Sequence, residues 1–250
     1  MKEMTKMDES IIDEYHSFVN DIFKDRDVFK KYWLDFFQLK DKEAQNTLMK
    51  VCQLIHFMKQ LDSCNIPYHD SIDFIMITSI IELLQTTKYN KTSHCRDKFR
   101  RFFREYLNDN EKIRLLHSIS VAKGNRYRPF CFRGDECVSQ YNNETCKFEF
   151  GEDCPIKNNE GMKESLDGIC NFLYNIRSQF VHSGRLPIFS SPEKSPILIH
   201  DVYDYYIING TEYRVGISLS VKFLYDTIVK NFQTMLDKYL EHYRNTPNPP

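Results

Sequence analysis

The sequence predicts a mainly α-helical bundle, and three observations carry that expectation. Glycine and proline, which interrupt helices, number only 8 and 9 in 250 residues. Apolar residues recur at helical spacing in segment after segment. Hydrophobic residues make up 41% of the chain, with 19 Phe and 15 Tyr, enough for a sizeable core.

Residues 9–24 carry Ile11, Ile12, Tyr15, Phe18, Val19, Ile22 and Phe23 as one helical stripe. Asp25-Arg26-Asp27 interrupts it. Residues 28–39 follow with Phe29, Trp33, Phe36 and Phe37 at the same spacing. Asp41 is placed to cap a third helix reaching Leu61, whose inner stripe holds Leu48, Val51, Cys52, Ile55 and Met58. His56 lies beside this stripe and reads as a surface or partly satisfied side chain. Residues 1–66 are therefore expected as an N-terminal helical extension, ahead of a second domain over 67–244.

Asn65-Ile66-Pro67-Tyr68 reads as a turn, after which Asp70 or Ser71 caps an apolar helix to about Thr86. Glu82 stands alone in that apolar stretch. A buried carboxylate is costly unless paired, so it serves either a nearby basic side chain or a polar site. Residues 96–107 are the most basic stretch. Phe99, Phe102, Phe103 and Tyr106 form its buried stripe, and Lys98, Arg101 and Arg104 project outward. Those three cations make either a solvated helix face or a surface that tracks phosphates. A short helix over 111–118 completes this part.

Gly, Asn, Asp and Pro cluster in 119–160, which reads as an irregular insert. It holds Cys131, Cys137, Cys146 and Cys154 with spacing C-x5-C-x8-C-x7-C. Four thiolates can hold a tetrahedral structural zinc, and a metal would give this segment the core it lacks. The spacing has no CxxC pair, so reduced or redox-paired thiols remain the other reading.

A second long helical pattern begins near Met162, with Leu166, Ile169, Leu173, Ile176 and Phe180 on one face and Ser183-Gly184 as its stop. Arg177 and His182 lie near its end. Five residues apart, they are about 140° apart around the axis, within reach of one polar pocket but not stacked. Beyond it, Leu186-Pro187-Ile188 and 191–196 read as loop. Residues 197–217 read as a small β-hairpin around Asn209-Gly210. Ser218 or Ser220 then caps a final helix whose stripe is Val221, Leu224, Tyr225, Ile228, Phe232, Met235, Leu236 and Tyr239. Residues 245–250 are expected as a disordered tail.

The segment Leu173-Tyr174-Asn175-Ile176-Arg177-Ser178-Gln179-Phe180-Val181-His182-Ser183-Gly184 resembles the RxxxxH motif of the HEPN superfamily, most closely its ApeA-like branch. The helix Ser79-Ile80-Ile81-Glu82-Leu83-Leu84 is similar to that family's helix with a lone acid. The resemblance covers roughly 72–184 and leaves out 1–61 and the cysteine insert. It implies a HEPN-like bundle and a metal-independent endoribonuclease. A composite site would form from two copies of the motif in a homodimer, in a setting such as a toxin or anti-phage defence system. In that reading Arg177, His182, Ser178 and Glu82 are the catalytic set, RNA is the partner, and no cofactor is required.

The chemistry fits these residue types. RNA carries its own nucleophile, the 2′-hydroxyl. A histidine moves protons near neutral pH, and an arginine forks onto phosphate oxygens as their charge grows. The formal net charge of −1 excludes whole-surface attraction to nucleic acid, so any RNA site must be local. No phosphate-binding glycine loop, dinucleotide fingerprint, HExxH or GxSxG is present. No apolar run reaches membrane-spanning length, and the first residues are polar and mixed in charge, so a cytoplasmic protein is expected. The rival reading is a non-catalytic protein-interaction or RNA-binding module with a structural zinc loop.

Overall fold

The computed structural model describes residues 6–64, 69–85, 95–117, 119–123, 126–129, 159–183, 205–208, 211–217 and 221–245. The described chain is mainly helical, as composition and periodicity predict. It divides into two compact units: residues 1–93 with 225–250, and residues 94–224. This division differs from the expected break after residue 66. The cause is the final helix, whose apolar stripe packs against the N-terminal helices, so those helices share a core and are no appendage.

In the first unit, α1 (Lys6–Phe18) and α2 (Arg26–Phe37) are joined by a turn that closes at Asp25. The Asp25 side chain accepts from the Asp27 backbone N–H and caps α2. Asp41 caps as expected, accepting from the Glu43 and Ala44 N–H groups. The helix it starts is only α3 (Lys42–Gln45), and α4 (Thr47–Ser63) begins after Asn46. The single expected helix is thus two. α5 (His69–Leu84) carries Phe74, Ile75, Ile77, Ile80, Ile81 and Leu84, all buried. A helix apolar on most of its circumference belongs inside a core, and α5 lies along α4.

The last helix, α9 (Val221–Asn245), completes this core. Phe232 meets Phe23 edge-on, and Tyr239 stacks on Phe36 with ring centroids 5.3 Å apart. The Tyr32 hydroxyl donates to Asp237 at 2.7 Å, and the buried Thr47 and Tyr239 hydroxyls are 2.9 Å apart. His56 stacks on Phe18 at 4.0 Å between centroids, in line with its bland reading.

The second unit contains α6 (Cys95–Tyr106), α7 (Asp109–His117), β1 (Ile119–Lys123), β2 (Arg126–Pro129), α8 (Asn159–Ser183), β3 (Tyr205–Ile208) and β4 (Thr211–Ile217). Phe99, Phe102, Phe103 and Tyr106 are buried on α6, as the stripe predicts. On α8, Leu166, Ile169, Leu173 and Ile176 are buried, also as predicted, and the side chain of Phe180, the fifth of that stripe, lies outside those described. The hairpin is present, with Ile208 opposite Thr211, leaving Asn209-Gly210 as the two residues between the strands.

The sheet extends further than expected. Its order is β2-β1-β4-β3, all antiparallel, with Val121 opposite both Arg128 and Val215. The first residues of 119–160 are therefore strands, and Asn159-Glu160 already belong to α8. Gly124-Asn125, read as a helix breaker, separates two paired strands in which Lys123 lies opposite Arg126. Residues 130–158, with Cys131, Cys137, Cys146 and Cys154, lie outside the described residues, as does the tail beyond Asn245. No helix among the described residues is long and apolar enough to cross a membrane.

Candidate functional site

α8 is the helix that carries the Arg177-x4-His182 motif. It ends at Ser183, the position the sequence marks as its stop. Its depth is set by Leu166, Ile169, Leu173 and Ile176, which form the buried face toward the core of the second unit. That burial leaves Arg177 and Ser178 half-buried and His182 exposed. Val181, next to His182, is 52% exposed, a large value for an aliphatic side chain. The last two turns of α8 thus offer a cation, a hydroxyl, an imidazole and an apolar side chain together. Glu82, also half-buried, lies on α5 in the first unit.

The rotation of α8 is fixed by α6. Three arginines on α6, four residues apart, meet three polar or aromatic residues on α8. Arg104 donates to both carboxylate oxygens of Asp167, at 2.6 Å to Oδ1. Arg100 donates to the Asn171 side-chain oxygen at 2.8 Å and to Asp97 at 3.2 Å. Arg96 lies over the ring of Tyr174, its Cζ 5.6 Å from the centroid. The Tyr174 ring also meets Phe99 at 6.5 Å, edge-on. These contacts run antiparallel: 104 with 167, 100 with 171, 96 with 174.

Of the trio expected to project outward on α6, Arg104 is exposed and turns to Asp167, while Lys98 and Arg101 are half-buried. Arg96, Arg100, Asp167, Asn171 and Tyr174 went unread in the sequence. The available signal was the four-residue repeat of arginine along one edge of the apolar stripe. The partner helix was not readable, because 63 residues separate Arg104 from Asp167.

Cys170 is the one cysteine on α8, and burial pushes its thiol well above the ordinary range. A buried thiol of that kind is inert as a nucleophile. Among the described residues no group of His, Cys, Asp and Glu is arranged to hold a metal ion. The four cysteines of the zinc reading lie outside those residues.

In the first unit, a cleft of about 430 Å³ lies between α2 and α9, lined by Lys31, Tyr32, Asp35, Asp237, Glu241 and Arg244 among others. Four of its polar groups form two pairs. Tyr32 donates to Asp237, and Arg244 pairs with Asp35 at 2.9 Å. Burial, with the Asp237 contact next, raises the Tyr32 phenol above its usual range, so it stays protonated.

Comparison of the chain with family models, curated proteins and solved structures gives no match.

Proposed function

We propose that this chain is a metal-independent endoribonuclease of the HEPN type, acting as a homodimer. The observation that carries the reading is the exposed His182 beside half-buried Arg177 and Ser178 at the end of one buried helix.

In this reading the 2′-oxygen of RNA attacks the adjacent phosphorus and the bond to the 5′-oxygen breaks. The products are a 2′,3′-cyclic phosphate and a 5′-hydroxyl. His182 of one copy takes the 2′-hydroxyl proton, and His182 of the second copy gives a proton to the leaving 5′-oxygen. Arg177 forks onto the non-bridging oxygens, whose charge grows in the transition state. Ser178, on the same helix, holds the arginine or a phosphate oxygen. The chemistry needs two proton-transfer groups, and one motif supplies one, which is the physical case for two copies.

The test is cleavage of labelled single-stranded RNA in EDTA by wild type and by His182→Ala. The wild type is expected to cut, and His182→Ala to lose at least about a hundredfold in rate. Equal cutting by both would sink the assignment of His182. A second reading, a protein-interaction module, draws on Phe37 and Phe57, 44% and 43% exposed on the first unit. It becomes the better one if a varied set of RNAs survives the wild type.

A further inference from the structure

We propose that Arg96, stacked on Tyr174 one helical turn before Arg177, is a substrate-phosphate contact of the Arg177–His182 site; the proposal rests on the ribonuclease reading. Arg96, Arg100 and Arg104 recur every fourth residue on α6 and so share one edge of that helix. Asp167, Asn171 and Tyr174 recur four and three residues apart on α8 and share one face. Two of the three contacts between them are closed by oxygen acceptors. Arg104 is held by the Asp167 carboxylate, and Arg100 by Asn171 and Asp97.

The Arg96 contact is of a different kind. Its partner is a ring face at 5.6 Å, and a cation–π contact uses the guanidinium charge without using its N–H donors. The planar fork keeps its capacity for two phosphate oxygens. Arg96 is exposed, and it stands in the first turn of α6 next to Asp97, the acid of that turn, which pairs with Arg100.

The position matches the motif. Tyr174, Ser178 and His182 are spaced by four and lie along one face of α8. Tyr174 is about 4.5 Å along the axis from Arg177 and about 12 Å from His182, at 1.5 Å per residue. A strand whose scissile phosphate lies on Arg177 and His182 would carry a neighbouring phosphate toward Arg96. Arg104, farther along and already paired, is the internal comparison: it contributes to fold, whereas Arg96 contributes to substrate.

The experiment measures cleavage of single-stranded RNA in EDTA over a salt series, with thermal melts read by circular dichroism. Arg96→Ala, Arg96→Lys and Arg104→Ala are compared with wild type. Arg96→Ala is expected to raise KM about tenfold with kcat little changed, and to make binding less salt-dependent by about one phosphate contact. Arg96→Lys should restore the salt dependence while KM stays raised, because an ammonium has no fork. Arg104→Ala should lower the melting temperature and leave KM alone. Wild-type KM and salt dependence in Arg96→Ala, with the wild type active, overturns the proposal and leaves the ribonuclease reading standing. If the wild type neither binds nor cuts RNA, both fall. Should Arg96→Ala fail to fold, Arg96→Lys decides, and an unchanged KM there overturns the proposal.

Discussion

Glu9 holds two cations at once, Lys30 and Arg26, and Arg26 also reaches Asp13. These pairs tie α1 to α2 across their exposed side. The Lys30 hydrogen bond, followed by that of Arg26, holds the Glu9 carboxyl below the ordinary carboxylate range. A depressed folded-state value stabilises the fold above the unfolded value, about 4.3, and that contribution is lost as pH falls through the folded value. Glu9→Gln should therefore melt below wild type at pH 7, and the gap should close as pH drops well under 4. A gap of constant size across thermal melts from pH 7 to pH 3 would contradict the assignment. At this scale the Asp41 cap was legible and Asp25 was read only as part of an interruption, although in both cases the N–H groups that donate to the cap are two or three residues away. The partners of Arg26 and Arg104 were not, because sequence spacing carries no information about which helix a long side chain meets.

Helices were the legible elements. Their apolar period is local, so α2, α6, α8 and α9 fall close to the spans predicted; the predicted stripe on α6 is buried, and so are Leu166, Ile169, Leu173 and Ile176 on α8, where Cys170 is buried as well. The α3–α4 break was hidden because apolar positions continue in phase across Asn46, while its backbone sits at φ −82° and ψ −8°. Strands β1 and β2 were hidden because they are short and the Gly124-Asn125 pair between them reads equally as a helix breaker. α8 itself offers a contrast within one helix. Leu173 is fully buried and Val181 is 52% exposed. Leu173→Ala should cost about 2–5 kcal/mol by lost burial and the cavity left behind, and Val181→Ala about 0.5 kcal/mol or less. Chemical denaturation of both variants checks this. Equal losses would mean that α8 is seated at a different rotation, and the exposure of His182 would fall with it.

Pairings distant in sequence are what the whole molecule adds. α9 closes the first unit by meeting α2 and the turn before it, through Tyr32–Asp237, Phe36–Tyr239 and Phe23–Phe232. In the second unit, β1 pairs with β4 from nearly a hundred residues on, Ile119 opposite Ile217. Neither follows from periodicity, which states that a face is buried and not what buries it. The candidate site was legible for the opposite reason: Arg177, Ser178 and His182 are on one helix, and their spacing alone sets their relation. What surrounds them came from the fold, including the α6 arginines that hold α8. The claim at the centre of this account is that RNA is cut by its own 2′-hydroxyl, with His182 moving the proton. The most direct measurement uses one RNA that the protein cuts in EDTA and the same RNA with a single 2′-deoxy nucleotide at the cleaved position. Product ends are read by mass spectrometry. The account predicts 2′,3′-cyclic phosphate ends from the first strand and an intact bond in the second. Cleavage of the deoxy strand at that same bond, or 3′-hydroxyl ends from the first, would contradict it.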